Sequence, residues 1–209
     1  MGSYRVADNK QERIVNKFLE LFYYNKHYSS VEMVEDKERQ TSGIDVIADG
    51  MLIDNKAQSG VKYINNPTDT YILELSFLNK YQEETVGWFL DAKSKTTHYL
   101  FVWIHDAIVG EDNRIVPYRG INKVEVMLVD KSKLREMIGR VYSDYSLISI
   151  ARKMRDLEYT HQYTYMNGIK FSHTPTLDEK PCNLVLSKDK LLECAVEHCF
   201  VTPNEIIHI

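Results

Sequence analysis

The chain has 209 residues, 44% of them hydrophobic and 27% charged. That is enough apolar material to bury a core without disulfides or structural metal, and too much for a largely disordered protein. A formal net charge of −4 and a pI near 6.0 exclude a protein that coats nucleic acid through bulk positive charge, although 26 Lys and Arg residues can still gather on one face.

The longest apolar runs, such as Tyr99 to Ile104, are far shorter than the roughly 20 residues that span a bilayer, so no membrane anchor is expected. No apolar leader with a small-residue cleavage site follows Met1-Gly2-Ser3-Tyr4-Arg5, and the expected location is the cytoplasm. Cys182, Cys194 and Cys199 lack the paired Cys-x-x-Cys spacing of a zinc site and read as reduced thiols.

Asp8 with Gln11 resembles a capping box, and Ile14, Val15, Phe18, Leu19 and Phe22 then recur at helical spacing, which predicts a helix from about Asn9 to Tyr24. Val31 to Val34 reads as a short strand. After the polar stretch Glu35 to Ser42, the segments Gly43 to Ala48 and Met51 to Gln58 flank Asp49-Gly50, a strong two-residue hairpin signal. Asn65-Asn66-Pro67 marks a loop, Tyr71 to Phe77 a strand, and His98 to Ile104 a buried central strand.

Lys123 to Val129 is a further strand candidate, and Asp130 can cap a helix through Leu134, Met137, Ile138 and Val141. A second helix covers Ser146 to Leu157. Two short strands, Ile169 to Ser172 and Asn183 to Leu186, precede a closing helix from Lys188 to His198. This order predicts an α/β (α+β) protein whose mixed central sheet is flanked by helices. One compact domain is expected, with a core over residues 1–105 and a C-terminal α/β extension over 106–209.

The hairpin concentrates chemistry. With a two-residue turn, Ala48 faces Met51, Ile47 faces Leu52, Val46 faces Ile53, and Asp45 faces Asp54. Two carboxylates about 5 Å apart across a sheet destabilise it unless something compensates, and a divalent cation would. Side chains alternate along a strand, so Asp54, Lys56 and Gln58 share the face carrying Asp45, with Gly43 opposite Lys56 leaving room for a phosphate. Hard oxygen donors at this density suit Mg²⁺ or Mn²⁺, with Lys56 as the ammonium that orients or activates a water.

These residues resemble the PD-(D/E)XK nuclease superfamily, which includes restriction endonucleases and Holliday-junction resolvases. Ile44-Asp45 stands where that family has Pro-Asp, and Asp54-Asn55-Lys56 where it has (D/E)-x-K. The resemblance covers Glu12 to Ile104, with Ile for the Pro and Asp for the commoner Glu. It implies a restriction-endonuclease-like core and a metal-dependent DNA endonuclease. In it Asp45, Asp54 and the backbone carbonyl of Asn55 would hold Mg²⁺ or Mn²⁺, Lys56 would activate water, Glu12 would be an added acid, and Gln58 would touch substrate or water.

Plainer readings stand beside these. Asp-x-Lys recurs by chance, and a surface salt bridge accounts for it equally; Glu12 can serve the helix dipole; Asp36, Gln40 and Glu74 can simply face solvent. Arg152, Lys153 and Arg155, followed by Tyr159, Tyr163 and Tyr165, form a candidate nucleic-acid grip or a solvated face with packed tyrosines. There is no G-x-x-x-x-G-K-[ST], so the nuclease would act alone, as a homodimer that cuts both strands, or beside a partner. RNA stays open as a substrate beside DNA. The rival function is a catalytically silent member of the same fold that binds nucleic acid or protein.

Overall fold

A computed structural model describes residues 3–36, 39, 42–117, 120–157, 163–164 and 169–209, with side chains from Lys10 onward. Gln40, Tyr159 and Tyr165, and the side chains of Asp8 and Tyr163, lie outside the described residues. The protein is mixed α/β, and its contacts gather into two compact units that interleave along the chain. The first unit comprises Met1–Thr68, Lys95–Lys131 and Ala195–Ile209; the second comprises Asp69–Ser94 and Ser132–Cys194. The expected strand Lys123 to Val129, beyond residue 105, belongs to the first unit.

The first unit opens with helix α1 (Ser3–Leu19), which runs through a π-helical turn (Glu20–Tyr24) into a short α2 (Asn25–His27). Its sheet has seven strands in the order β1-β2-β3-β6-β7-β11-β12. These are β1 (Val31–Met33), β2 (Val46–Ala48), β3 (Met51–Ala57), β6 (His98–Ala107), β7 (Ile121–Asp130), β11 (Ala195–Val201) and β12 (Ile206–His208). Among the described residues of this sheet only β3 and β6 pair in parallel. Parallel neighbours need a crossover of a dozen or more residues, and here it runs from Gln58 to Thr97 by way of the second unit's first two strands.

The core of this unit lies between the helix and one sheet face. Val15, Phe18, Leu19, Tyr23 and Tyr24 gather there with Val46, Ala48 and Ile53, with Leu100, Val102 and Ile104, and with Val124, Val126, Leu128, Cys199 and Val201. Alternation puts Asp54, Lys56, Phe101, Trp103, His105 and Glu125 on the other face. Every residue from Tyr99 to Ile104 is buried, as a central strand requires.

The second unit holds a five-stranded antiparallel sheet in the order β5-β4-β10-β9-β8. Its strands are β4 (Thr70–Leu78), β5 (Glu84–Val86), β8 (Tyr163–Thr164), β9 (Ile169–His173) and β10 (Cys182–Ser187). Helices α3 (Lys131–Gly139), α4 (Asp144–Asp156) and α5 (Lys188–Leu192) complete it, α4 packing on β4, β9 and β10. Ser143 and Ser187 cap α4 and α5, each side chain accepting from the backbone amide three residues on. Among the described residues no helix is long and apolar enough to cross a membrane.

Two expectations need correction. The first helix begins at Ser3, so Asp8 lies within it and is not a cap. The closing helix stops at Leu192, and Ala195–Val201 is a strand that places His198 and Cys199 in the sheet. Leu191, Leu192, Ala195, Val196, Cys199 and Phe200 do recur at helical spacing. The same stretch also alternates, and the ladder it forms with β7 decides in favour of a strand.

Candidate active site

The turn that shapes the site follows from its sequence. Asp49 and Gly50 both have positive φ, 45° and 83°, the signature of a type I′ hairpin turn. Ala48 accordingly pairs with Met51, Ile47 with Leu52, and Val46 with Ile53. The Asp49 carboxylate accepts the Ser30 amide at 2.8 Å, and Leu52 donates its amide to Thr97 Oγ1 at 2.9 Å, which fixes both arms of the turn.

The regular ladder ends at Val46, one residue short of the expected Asp45 and Asp54 pairing. The Asp45 amide donates to Ile53 O at 2.9 Å, so Asp45 and Val46 together oppose Ile53, the geometry of a β-bulge. The bulge re-aims Asp45. Its Oδ2 accepts the Asn55 amide at 2.9 Å, and its carboxyl shares a hydrogen bond with that of Asp54. The two acids meet as expected, by this route and not by direct cross-strand pairing. The β2–β3 ladder stops before it reaches Gly43, and the sheet partner of Lys56 is Phe101 on the β6 side of β3. Gly43 instead adopts φ 75° and accepts from the Thr96 hydroxyl, anchoring the loop that delivers Asp45.

Asp54 is 5% exposed, and Lys56 Nζ lies 2.8 Å from its Oδ1. Burial pushes the Asp54 carboxyl up to about 6, the neighbouring Asp45 charge adds to the rise, and Lys56 opposes it. Burial pulls the Lys56 ammonium down, but the charges of Asp54, Asp45 and Glu12 outweigh it and its pKa rises. One ammonium therefore feels the charge of three acids, Glu12 the weakest of them. Glu12 is exposed on α1, and one helical turn later Asn16 Oδ1 accepts from Asn55 Nδ2 at 3.1 Å. Tyr24 Oη donates to Asn55 Oδ1 at 2.5 Å, so helix and hairpin are tied at this point.

The donor set fits a hard divalent cation. Two carboxylates in contact carry a charge that the single Lys56 does not balance. The Asn55 amide leaves β3 toward Asp45, and in a strand a residue's carbonyl leaves by the same edge, here just past the end of β2. Asp45, Asp54 and the Asn55 carbonyl thus share one edge.

Other expected residues have partners of their own. Gln58 follows β3, and its side chain bonds Thr68 twice, donating to Oγ1 at 2.9 Å and accepting the Thr68 amide at 3.1 Å. It pins a loop. Arg152, Lys153 and Arg155 lie on α4 of the second unit, where Arg155 is buried. Its guanidinium donates to Glu84 Oε1 at 2.9 Å, Ser76 Oγ at 2.8 Å and Lys180 O at 3.3 Å, while Arg152 donates to Glu84 Oε2 at 2.6 Å. Arg155 is thus an internal clamp, while Arg152 reaches Glu84 from an exposed position and Lys153 is exposed. Asp36 accepts the Arg39 amide at 2.8 Å within its own loop.

Sequence reasoning missed a polar cluster on β6, β7 and β11 of the first unit. Glu125, 4% exposed, receives His105 Nε2 at 2.7 Å on one oxygen and His198 Nε2 at 2.8 Å on the other, joining β6, β7 and β11. The readable signal was a lone acid inside the run Val124 to Val129. Compared with protein-family models, curated proteins and solved structures, the chain matches none of them.

Proposed function

We propose that this chain is a divalent-metal-dependent nuclease of the PD-(D/E)XK type, acting on DNA in the cytoplasm through a restriction-endonuclease-like core. The supporting observation is the convergence of Asp45, Asp54 and Lys56 at the bulged end of the hairpin, with the Asn55 carbonyl on the same edge. Asp45, Asp54 and that carbonyl would hold Mg²⁺ or Mn²⁺. When bound, such an ion supplies charge stabilisation at the phosphoryl oxygens and acidifies a water.

The chain's own residues do the rest. Lys56, held in its protonated form by three acids, orients the attacking water and balances the charge gathered at the phosphate. Glu12 adds negative charge on the helix side. Tyr24 and Asn16 fix Asn55 so that its carbonyl direction does not wander. Cleavage of both strands of a duplex would bring two copies of the chain together.

The test is cleavage of plasmid, linear, single-stranded and four-way-junction DNA, with RNA alongside, in Mg²⁺ or Mn²⁺, comparing wild type with Lys56→Ala. Loss of cleavage in the variant supports the proposal, and the preferred substrate names the subclass. A folded wild type that cuts none of these refutes it and leaves the silent binding module as the reading.

A further inference from the structure

A second group of potential ligands lies in the first unit, away from the hairpin residues. His27 ends α2, Glu197 lies on β11, and His208 lies on β12, the edge strand of the seven-stranded sheet. Cys199 pairs with His208, so Glu197 and His208 project from the same sheet face as Cys199. His27 Nε2 is 3.1 Å from Glu197 Oε2, and His208 Nδ1 is 3.9 Å from Glu197 Oε1. The ligand atoms of all three lie within 4.8 Å of one another, and among the described residues no other three His, Cys, Asp or Glu side chains converge in this way.

We propose that His27, Glu197 and His208 form a binding site for a zinc-class transition-metal ion that staples the edge strand β12 to the end of the helix. Donors about 2.1 Å from a tetrahedral ion stand about 3.4 Å apart. The two separations, each to a different Glu197 oxygen, bracket that value, so rotation of the carboxylate or of His208 brings one oxygen and both imidazoles onto a single ion. Two imidazoles and one carboxylate suit Zn²⁺ or a neighbouring transition ion, and they disfavour Mg²⁺ and Ca²⁺, which take oxygen donors. Three protein ligands leave a fourth position for water.

The surroundings are those of an oriented ligand. Tyr23 Oη and Tyr28 Oη donate to Glu197 Oε2 at 2.9 and 3.1 Å, and Cys199 Sγ donates to Oε1 at 3.5 Å. Hydrogen bonds to a ligating carboxylate fix its orientation. The Tyr23 ring stacks on His27, with centroids 5.6 Å apart and planes 11° apart, which sets the imidazole plane. The Glu197 side chain is only 10% exposed, whereas His27 and His208 are 29% and 61% exposed, so an ion can enter from the imidazole side.

This site is independent of the proposed nuclease chemistry, and its test does not use cleavage. A tag-free chain is titrated with Zn²⁺ against a chromogenic chelator, and with Co²⁺ while the visible spectrum is followed. One ion per chain is expected beyond any that the hairpin acids hold, with the intense bands of four-coordinate Co²⁺. His27→Gln and His208→Gln, at exposed positions, each weaken binding by more than about 100-fold, beyond the usual 10–100-fold effect of losing a hydrogen bond to a ligand. Tyr28→Phe falls in that smaller range, and Asp54→Asn leaves Zn²⁺ affinity unchanged. No bound ion, wild-type affinity in both histidine variants, or loss of binding in Asp54→Asn instead would overturn the proposal.

Discussion

Replacing Asp54 by Asn tests the electrostatics of the hairpin directly. The carboxyl titrates near 6 in the folded chain because it is buried and touches Asp45, against an ordinary value of 3.8. A displacement of about 2 units at roughly 1.4 kcal/mol each corresponds to about 3 kcal/mol of pH-dependent stability. Because the folded value is the higher one, this contribution is fully present below about pH 4 and is lost as the pH rises through about 6. The stability of the wild type, followed by denaturant unfolding, should therefore fall relative to the Asn variant by about that amount between pH 4 and pH 8. The ¹³C resonance of the Asp54 carboxyl should inflect near pH 6 in the metal-free protein. Mg²⁺ at 100 times its dissociation constant should restore about 2.7 kcal/mol to the wild type at pH 8 and nothing comparable to the variant. Parallel stability curves, or an inflection at pH 4 or below, would refute this account of the site.

Arg155→Ala removes donors to Glu84, Ser76 and the Lys180 carbonyl inside the second unit. It should destabilise that unit by about 2 to 4 kcal/mol in denaturant unfolding, while Lys153→Ala, at an exposed position, shifts the midpoint little. Gly87→Ala would set a Cβ 2.4 Å from the Glu74 carbonyl oxygen, which is backbone and cannot swing aside, so hydrogen exchange in β4 should accelerate sharply; unchanged protection would show that the backbone yields there.

What could be read from the sequence was what local chemistry decides. Asp49-Gly50 dictates its turn, the turn dictates the register of Val46 with Ile53, and alternation then sets Asp54 and Lys56 on one face. The bulge at Asp45 was not legible, because it depends on where β2 leaves its partner. Gln58 was placed by alternation and by resemblance, and its two hydrogen bonds to Thr68, in a loop beyond Asn65 and Pro67, were not legible. Arg155 could have been recognised: it follows Ala151 by four residues on the buried stripe of Leu147, Ala151 and Met154, so its charge was aimed inward from the start. No local pattern could bring His27 to Glu197, 170 positions away, once Glu197 was read as helical.

The π-helical turn at Glu20–Tyr24 bears on how much this sequence can change in length. It lets two consecutive side chains, Tyr23 and Tyr24, both be fully buried while one hydroxyl reaches Glu197 and the other Asn55. Each residue of an α-helix advances about 100° around the axis. Deleting one residue from this turn can close its i→i+5 bonds to the i→i+4 pattern, which keeps Glu12 and Asn16 in register but re-aims the residues of the turn itself, Tyr23 and Tyr24 among them. A single-codon deletion here should therefore cost the ties from Tyr23 to Glu197 and from Tyr24 to Asn55 while leaving the first helix on the same side of the hairpin.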